Sequence, residues 1–107
     1  MNRVPVFVIG LFLSACSSVT LLTQTQYPAV APERVEVLYQ EPKRPFEVIA
    51  MISREAATRF ATVQSEIQNC RELAAEAGAD AVIITSTYDQ TFNTAAKASG
   101  KAIKWKK

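Results

Sequence analysis

Two cysteines, Cys16 and Cys70, are the side chains of this 107-residue sequence best suited to covalent chemistry. The chain has no histidine, so neither a Ser-His-Asp nor a Cys-His nucleophile can be assembled from it. Soft-metal sites need several thiolate or imidazole ligands, which two separated cysteines do not supply. The three glycines are scattered and form no phosphate-binding loop. We therefore expect no catalytic residue, no metal and no cofactor, and we predict that the protein is not an enzyme.

Cys16 stands at the end of an apolar segment. One positive charge, Arg3, precedes an apolar run over residues 4–13, and the small residues Ser14 and Ala15 follow. A charged start, a short apolar run and small residues are the layout of a secretory signal peptide. The run has about half of the ~20 residues that a membrane-spanning helix needs. The segment therefore predicts export and cleavage rather than a transmembrane anchor.

The four residues that end this segment, Leu13-Ser14-Ala15-Cys16, resemble the bacterial lipobox. The resemblance implies cleavage before Cys16, a covalent diacylglyceryl group on its thiol and an acyl group, such as palmitate, on the new amine. Because one myristoyl chain binds a bilayer only marginally, two or three longer chains make release negligible. Ser17 follows, where an aspartate would favour the inner membrane. The resemblance thus implies a lipoprotein held in the outer membrane through Cys16, facing the periplasm.

Cleavage at this point divides the sequence into three parts. Residues 1–15 form the signal peptide, residues 16–32 a lipidated N-terminus with an extended tether, and residues 33–107 one small domain. The tether prediction depends on the Ser, Thr and Gln content of residues 17–32 and on two prolines near its end. Removing 15 of the 107 residues leaves 92, which is enough for a single small core.

Hydrophobic periodicity predicts an α+β domain with the element order β-β-α-β-β. A long helix is expected to end before Gly78, because glycine suits the C′ position, and residues 54–61 are either its first turns or a loop. Alternating or continuous apolar residues predict four strands, over residues 34–40, 46–52, 81–87 and 101–106.

These elements are expected to form a single antiparallel or mixed sheet that one helix covers. The strand over residues 81–87 begins apolar on both faces, which favours a central position. One helix covers one face of a sheet, so the second face needs cover from the tether, from residues 54–61 or from another subunit. We infer from this some tendency to self-associate.

Cys70 has no disulfide partner in the chain once lipidation uses the sulfur of Cys16. It falls on the apolar face of the predicted helix with Ile67 and Ala74, at spacings of three and four residues. A free thiol in an oxidising compartment is either buried or paired between molecules, and this position favours burial.

Five of the six lysines lie near the C-terminus, and no acidic residue follows Asp89. The chain without its signal has 11 basic and 10 acidic residues, a net charge too small for nucleic-acid binding. Two interpretations stay open. The lysines belong to a solvated edge strand and tail, or they form a patch for anionic cell-wall polymer, lipid phosphate or an acidic partner, composed of Lys101, Lys104, Lys106 and Lys107. Three aromatic residues suggest a groove, although packing in the sheet is the favoured explanation for Tyr88, Phe92 and Trp105.

Two stretches resemble the YbjQ-like domains. Residues 70–84, CRELAAEAGADAVII, resemble that family's helix, Gly-Ala-Asn/Asp-Ala-Val turn and strand, and residues 98–103, ASGKAI, resemble its closing strand. The same small fold occurs in the Rcs envelope-stress sensor family of outer-membrane lipoproteins, in which disulfides staple the domain. The resemblance spans about residues 46–106. This chain lacks those disulfides. No functional residue is carried over at matching positions.

The leading hypothesis is therefore a membrane-anchored, non-catalytic module that binds an envelope protein or senses envelope stress. Two alternatives stay open. One is a structural lipoprotein that self-assembles through an uncovered sheet face, as a homo-oligomer. The other is a binder of anionic cell-wall polymer through the lysine-rich C-terminal end.

Overall fold

The computed structural model describes residues 16–57, 60–91 and 94–106. One sheet has the strand order β1-β3-β5-β4-β2, in which β2 and β4 are parallel and the other neighbours antiparallel. The expected α+β class, a mixed sheet with one helix among the described residues, is confirmed. The elements in chain order are β1 (Cys16–Leu21), a 3-10 turn (Pro32–Arg34), β2 (Glu36–Leu38), β3 (Phe46–Glu55), α1 (Val63–Glu76), β4 (Ala81–Tyr88) and β5 (Lys97–Trp105).

The helix is shorter than its longest predicted form because a capping box defines its first turn. The Thr62 hydroxyl accepts from the Ser65 amide at 3.2 Å, and the Ser65 hydroxyl accepts from the Thr62 amide at 3.3 Å. These bonds satisfy amides that an N-terminal turn leaves unpaired. Residues 54 and 55 therefore end β3, and residues 56, 57, 60 and 61 lie between that strand and the helix. At the other end Gly78 has φ +81°, as the C′ prediction requires.

β1 lies where the sequence predicts an extended tether. Its six residues pair with β3, from Cys16 opposite Glu55 to Leu21 opposite Ala50. The pairing is possible because β3 continues three residues beyond its predicted end at residue 52. Only residues 22–31 remain as an irregular segment before the 3-10 turn.

β5 occupies the middle of the sheet, so the interpretation of the lysine-bearing segment as an edge strand is wrong. β4, the strand expected at the centre, lies between β5 and the short edge strand β2. The helix packs over small buried residues of β5, namely Ala98, Gly100 and Ala102. A Cβ at Gly100 would lie 2.6 Å from the Ile83 carbonyl oxygen, so this position requires glycine. Close packing therefore selects small residues for the central strand, against β4 at Gly100 and under the helix at Ala98 and Ala102.

The main core lies between α1 and the sheet. The helix contributes Ile67, Cys70 and Ala74 to this core. The largest side chains from the sheet belong to β3 and β4 and are Ile49, Ile52, Val82 and Ile84. A smaller cluster on the opposite face buries Ala81, Ile83 and Ile103.

The connection between β2 and β3, residues 39–45, covers this smaller cluster. It joins one sheet edge to a strand on the other side of β4 and β5, so it crosses both. The Glu41 carboxylate lies 3.0 Å from the Lys101 ammonium, and the Arg44 guanidinium lies 4.5 Å from the Trp105 ring centre. This connection therefore covers part of the second face, a role for which the sequence suggested the tether, residues 54–61 or another subunit.

Candidate functional site

The predicted lipidation residue, Cys16, lies at the start of the first described strand. Cys16 is the first residue of β1, and its backbone pairs with Glu55 of β3. The rest of the predicted cleavage motif, Leu13, Ser14 and Ala15, lies outside the described residues. Since no residue separates Cys16 from β1, a lipid on this cysteine would be attached directly to the folded domain. Within the described residues, no helix is both long and apolar enough to cross a bilayer.

An apolar groove of about 440 Å³ follows along β1. Alternation turns Val19 and Leu21 toward the helix side of the sheet, where they line the groove, and Ser18 and Thr20 toward the other face. α1 packs on β3, β5 and β4 and leaves β1 largely uncovered. Val19 and Leu21 are therefore 40% and 58% exposed. The opposite wall is the C-terminal half of the helix, with Leu73, Glu76 and Ala77.

The irregular segment of residues 22–31 closes one end of the groove. Its Leu22 amide donates to the Ile49 carbonyl at 2.9 Å, and its Val30 amide donates to the Ala75 carbonyl, also at 2.9 Å. Tyr27 of this segment packs against the core and lines the groove. The groove therefore lies between β1 and the helix, with this segment at one end.

β1 is also an edge strand. Within the described residues no strand pairs with its outer side. An unpaired edge offers a row of backbone donors and acceptors, which an extended segment of another chain can use. An open edge beside an apolar groove is the arrangement that strand addition requires.

Of the four lysines proposed as one anionic-partner patch, Lys101 and Lys104 lie in different surroundings. Lys101 pairs with Glu41 on the face that residues 39–45 cross. Lys104 lies 3.5 Å from the Asp80 carboxylate, donates to the Gly78 carbonyl at 3.0 Å, and stands over the Tyr27 ring. Lys106 is exposed, and Lys107 lies outside the described residues.

Of the three aromatic residues considered for a groove, Tyr88 and Trp105 lie apart. Tyr88 lies opposite Lys97 at the start of β5, whereas Trp105 lies at its other end. Phe92 falls outside the described residues. The smaller cluster on the second face includes Trp105, as sheet packing predicts.

Cys70 is a buried free thiol, as its helical position predicts. Burial, with the nearby Glu66 charge, raises the pKa of this thiol to about 11, and the thiol donates to the Ala98 carbonyl at 3.6 Å. A thiol protonated at neutral pH is a poor nucleophile and metal ligand. No cluster of three or more His, Cys, Asp or Glu side chains in the described part of the chain has the geometry to hold a metal.

Sequence reasoning did not identify the groove residues Val19 and Leu21. The available signal was the alternation of polar and apolar residues over residues 18–21, with two β-branched residues among them. Four residues within a Ser- and Thr-rich stretch give a weak pattern, and β3 must supply the pairing.

The described residues define a small α+β domain in which five strands and one helix form two layers. A solved structure with this fold is "Crystal structure of a Francisella virulence factor FvfA in the orthorhombic form". It aligns with a TM-score of 0.64 at 12% identity, over 82% of this chain and 96% of that one, a likeness that shows the fold alone. No family model matches the sequence, and no curated protein matches it.

Proposed function

We propose that this chain is a lipid-anchored, non-catalytic interaction module of the cell envelope, held in the outer membrane and facing the periplasm. The observation that carries the proposal is the Leu13-Ser14-Ala15-Cys16 motif at the end of a signal-like segment. Diacylglyceryl and N-acyl chains on Cys16 give membrane attachment that a single short chain does not. Envelope-stress sensing, as the resemblance to the Rcs sensor family suggests, is one form of such an interaction.

The partner that suits this module best is an extended protein segment added to the outer edge of β1. Backbone hydrogen bonds along the edge would hold it, and its apolar side chains at alternate positions would enter the groove beside Val19 and Leu21. Such a partner uses both the open edge and the exposed apolar surface. Self-assembly through the second face and polymer binding through the lysines receive less support, because residues 39–45 cover that face in part and because Lys101 and Lys104 are each paired with an acidic residue.

Replacing Cys16 should abolish lipidation and release the protein from membranes. We expect radiolabelled palmitate in the wild-type chain and none in Cys16→Ala, because the thiol is the predicted attachment point. Cys70→Ala is the matched control, since it removes the other thiol, which is buried and protonated. Equal labelling of wild type and Cys16→Ala, or no labelling of either, would refute the anchor.

A photo-crosslinking side chain placed at Val19 should capture the partner in intact cells. The matched control is the same probe at Met51, which is 42% exposed against 40% for Val19 and lies near the sheet's other face. We expect one defined adduct from position 19 and none from position 51. An adduct of twice the chain's own mass would instead support self-assembly, and equal products from both positions would contradict a partner at the groove.

A further inference from the structure

The strand register places Cys16 in a row that crosses four strands. Cys16 lies opposite Glu55, Glu55 opposite Lys97, and Lys97 opposite Tyr88. Neighbouring strands are about 4.8 Å apart, so the Tyr88 backbone stands roughly 14 Å from that of Cys16, at the same height along the strands. The row marks one end of the sheet. Cys16, the predicted lipidation residue, lies where this end meets the edge strand β1.

Two large aromatic side chains are exposed at this end. Tyr88, the last residue of β4, is 62% exposed, and the Lys97 ammonium lies 6.0 Å from its ring centre. Phe60 is 83% exposed and lies in the loop between the end of β3 and the start of α1. Because β3 ends in the row at Glu55, this loop is at the same end as Cys16.

We propose that this end of the domain lies against the lipid bilayer, with Tyr88 and Phe60 in the headgroup region. The inference rests on the lipidation of Cys16. With no residue between the acylated cysteine and β1, the row must stay close to the surface in which the acyl chains are buried. Aromatic side chains are favoured at membrane interfaces, where an apolar ring contacts lipid and a polar tip contacts water. Glu55 and Lys97 contribute opposite charges to the row, so the contact is aromatic in character rather than electrostatic.

Bilayer contact at this end fixes the orientation of the rest of the domain. Trp105, eight residues along β5 from Lys97, is placed about 27 Å from the row. Val19, three residues along β1 from Cys16, is placed roughly 10 Å from it. The groove therefore faces sideways, just above the bilayer, and a partner segment approaches it parallel to the strands.

Quenching of tryptophan fluorescence by brominated lipids tests this orientation. The full chain, matured in a bacterial host and purified from its membranes, is checked for the lipid by intact mass and reconstituted into phosphatidylethanolamine–phosphatidylglycerol vesicles. The test variants are Phe60→Trp and Tyr88→Trp, which alter exposed side chains and keep the native Trp105. The matched control is Leu22→Trp, because Leu22 is 52% exposed and follows β1 at the end away from the row.

We expect brominated acyl chains to remove most of the emission that tryptophan at position 60 or 88 adds to that of Trp105. Wild type, which reports Trp105 alone, and Leu22→Trp should keep their emission. Equal quenching of all four proteins, or quenching confined to wild type and Leu22→Trp, overturns the orientation and leaves the anchor standing. A purified chain whose mass shows no lipid overturns both the proposed function and this inference.

Discussion

Arg54→Met should lower the free energy of unfolding by about 3 kcal/mol, because it leaves a buried carboxylate without its cation. The partner is Glu66, which is 2% exposed and lies 3.1 Å from the Arg54 Nε atom. Removing one member of a buried ion pair costs about 3–5 kcal/mol. The lower end applies here because the Arg54 side chain is 24% exposed and Ser65 still donates to Glu66 at 3.2 Å. Arg54 also donates to the Ser17 hydroxyl, so its loss loosens β1.

Urea unfolding of the three variants Arg54→Met, Glu66→Met and Arg54→Met/Glu66→Met measures this coupling. The double variant should be more stable than Arg54→Met alone, since it removes the unpaired charge along with its partner. Lys101→Met is the matched control, because it breaks a 3.0 Å ion pair whose acid, Glu41, is 65% exposed. That loss should be within about 1 kcal/mol. Equal losses for Arg54→Met and Lys101→Met would show that the buried pair has no special role.

Gly78→Ala should destabilise the domain by about 2 kcal/mol or more. Its φ of +81° costs a residue with a Cβ about 1–2 kcal/mol. The added Cβ would also lie 2.5 Å from Tyr27 Cβ and 2.6 Å from the Pro28 carbonyl oxygen, so the irregular segment must move. That movement would disturb one wall of the groove and the Lys104 contact with the Gly78 carbonyl.

Gly78→Asn separates the two contributions to this loss. Asparagine adopts positive φ more readily than alanine but has the same Cβ. If backbone strain dominates, Gly78→Asn should recover much of the stability lost in Gly78→Ala. If contact with Tyr27 and Pro28 dominates, the two variants should unfold at similar urea concentrations. A loss below about 0.5 kcal/mol in Gly78→Ala, the range of ordinary surface substitutions, would contradict both contributions.

The sequence predicted a structural feature correctly where a single short stretch of residues determines that feature. The helix end at Gly78 followed from glycine's access to positive φ, and burial of Cys70 followed from its place on the apolar helix face. The strands from residues 46 and 81 were recognisable because each contains a short apolar run.

Features that depend on the register of distant strands were not predictable. β1 is a strand because β3 pairs with it, and the Ser- and Thr-rich sequence of β1 gives only a weak pattern of its own. The small residues Ala98, Gly100 and Ala102 weaken the strand pattern of β5. The same small residues allow β5 to lie at the centre of the sheet, under the helix. The Arg54–Glu66 pair joins a strand to a helix across 12 positions, so it appears only once both elements are placed. Lipidation of Cys16 stays a prediction from the motif.

The central position of β5 also sets the order in which the domain can be completed. A ribosome makes the N-terminal strands first, at about 5–20 residues per second, and β5 emerges after all the other described strands. Without β5 the sheet is two separate fragments, β1 with β3 and β4 with β2. We therefore expect the polypeptide to stay open until β5 has been synthesised, which is the state that the proposed export through a secretion channel would require.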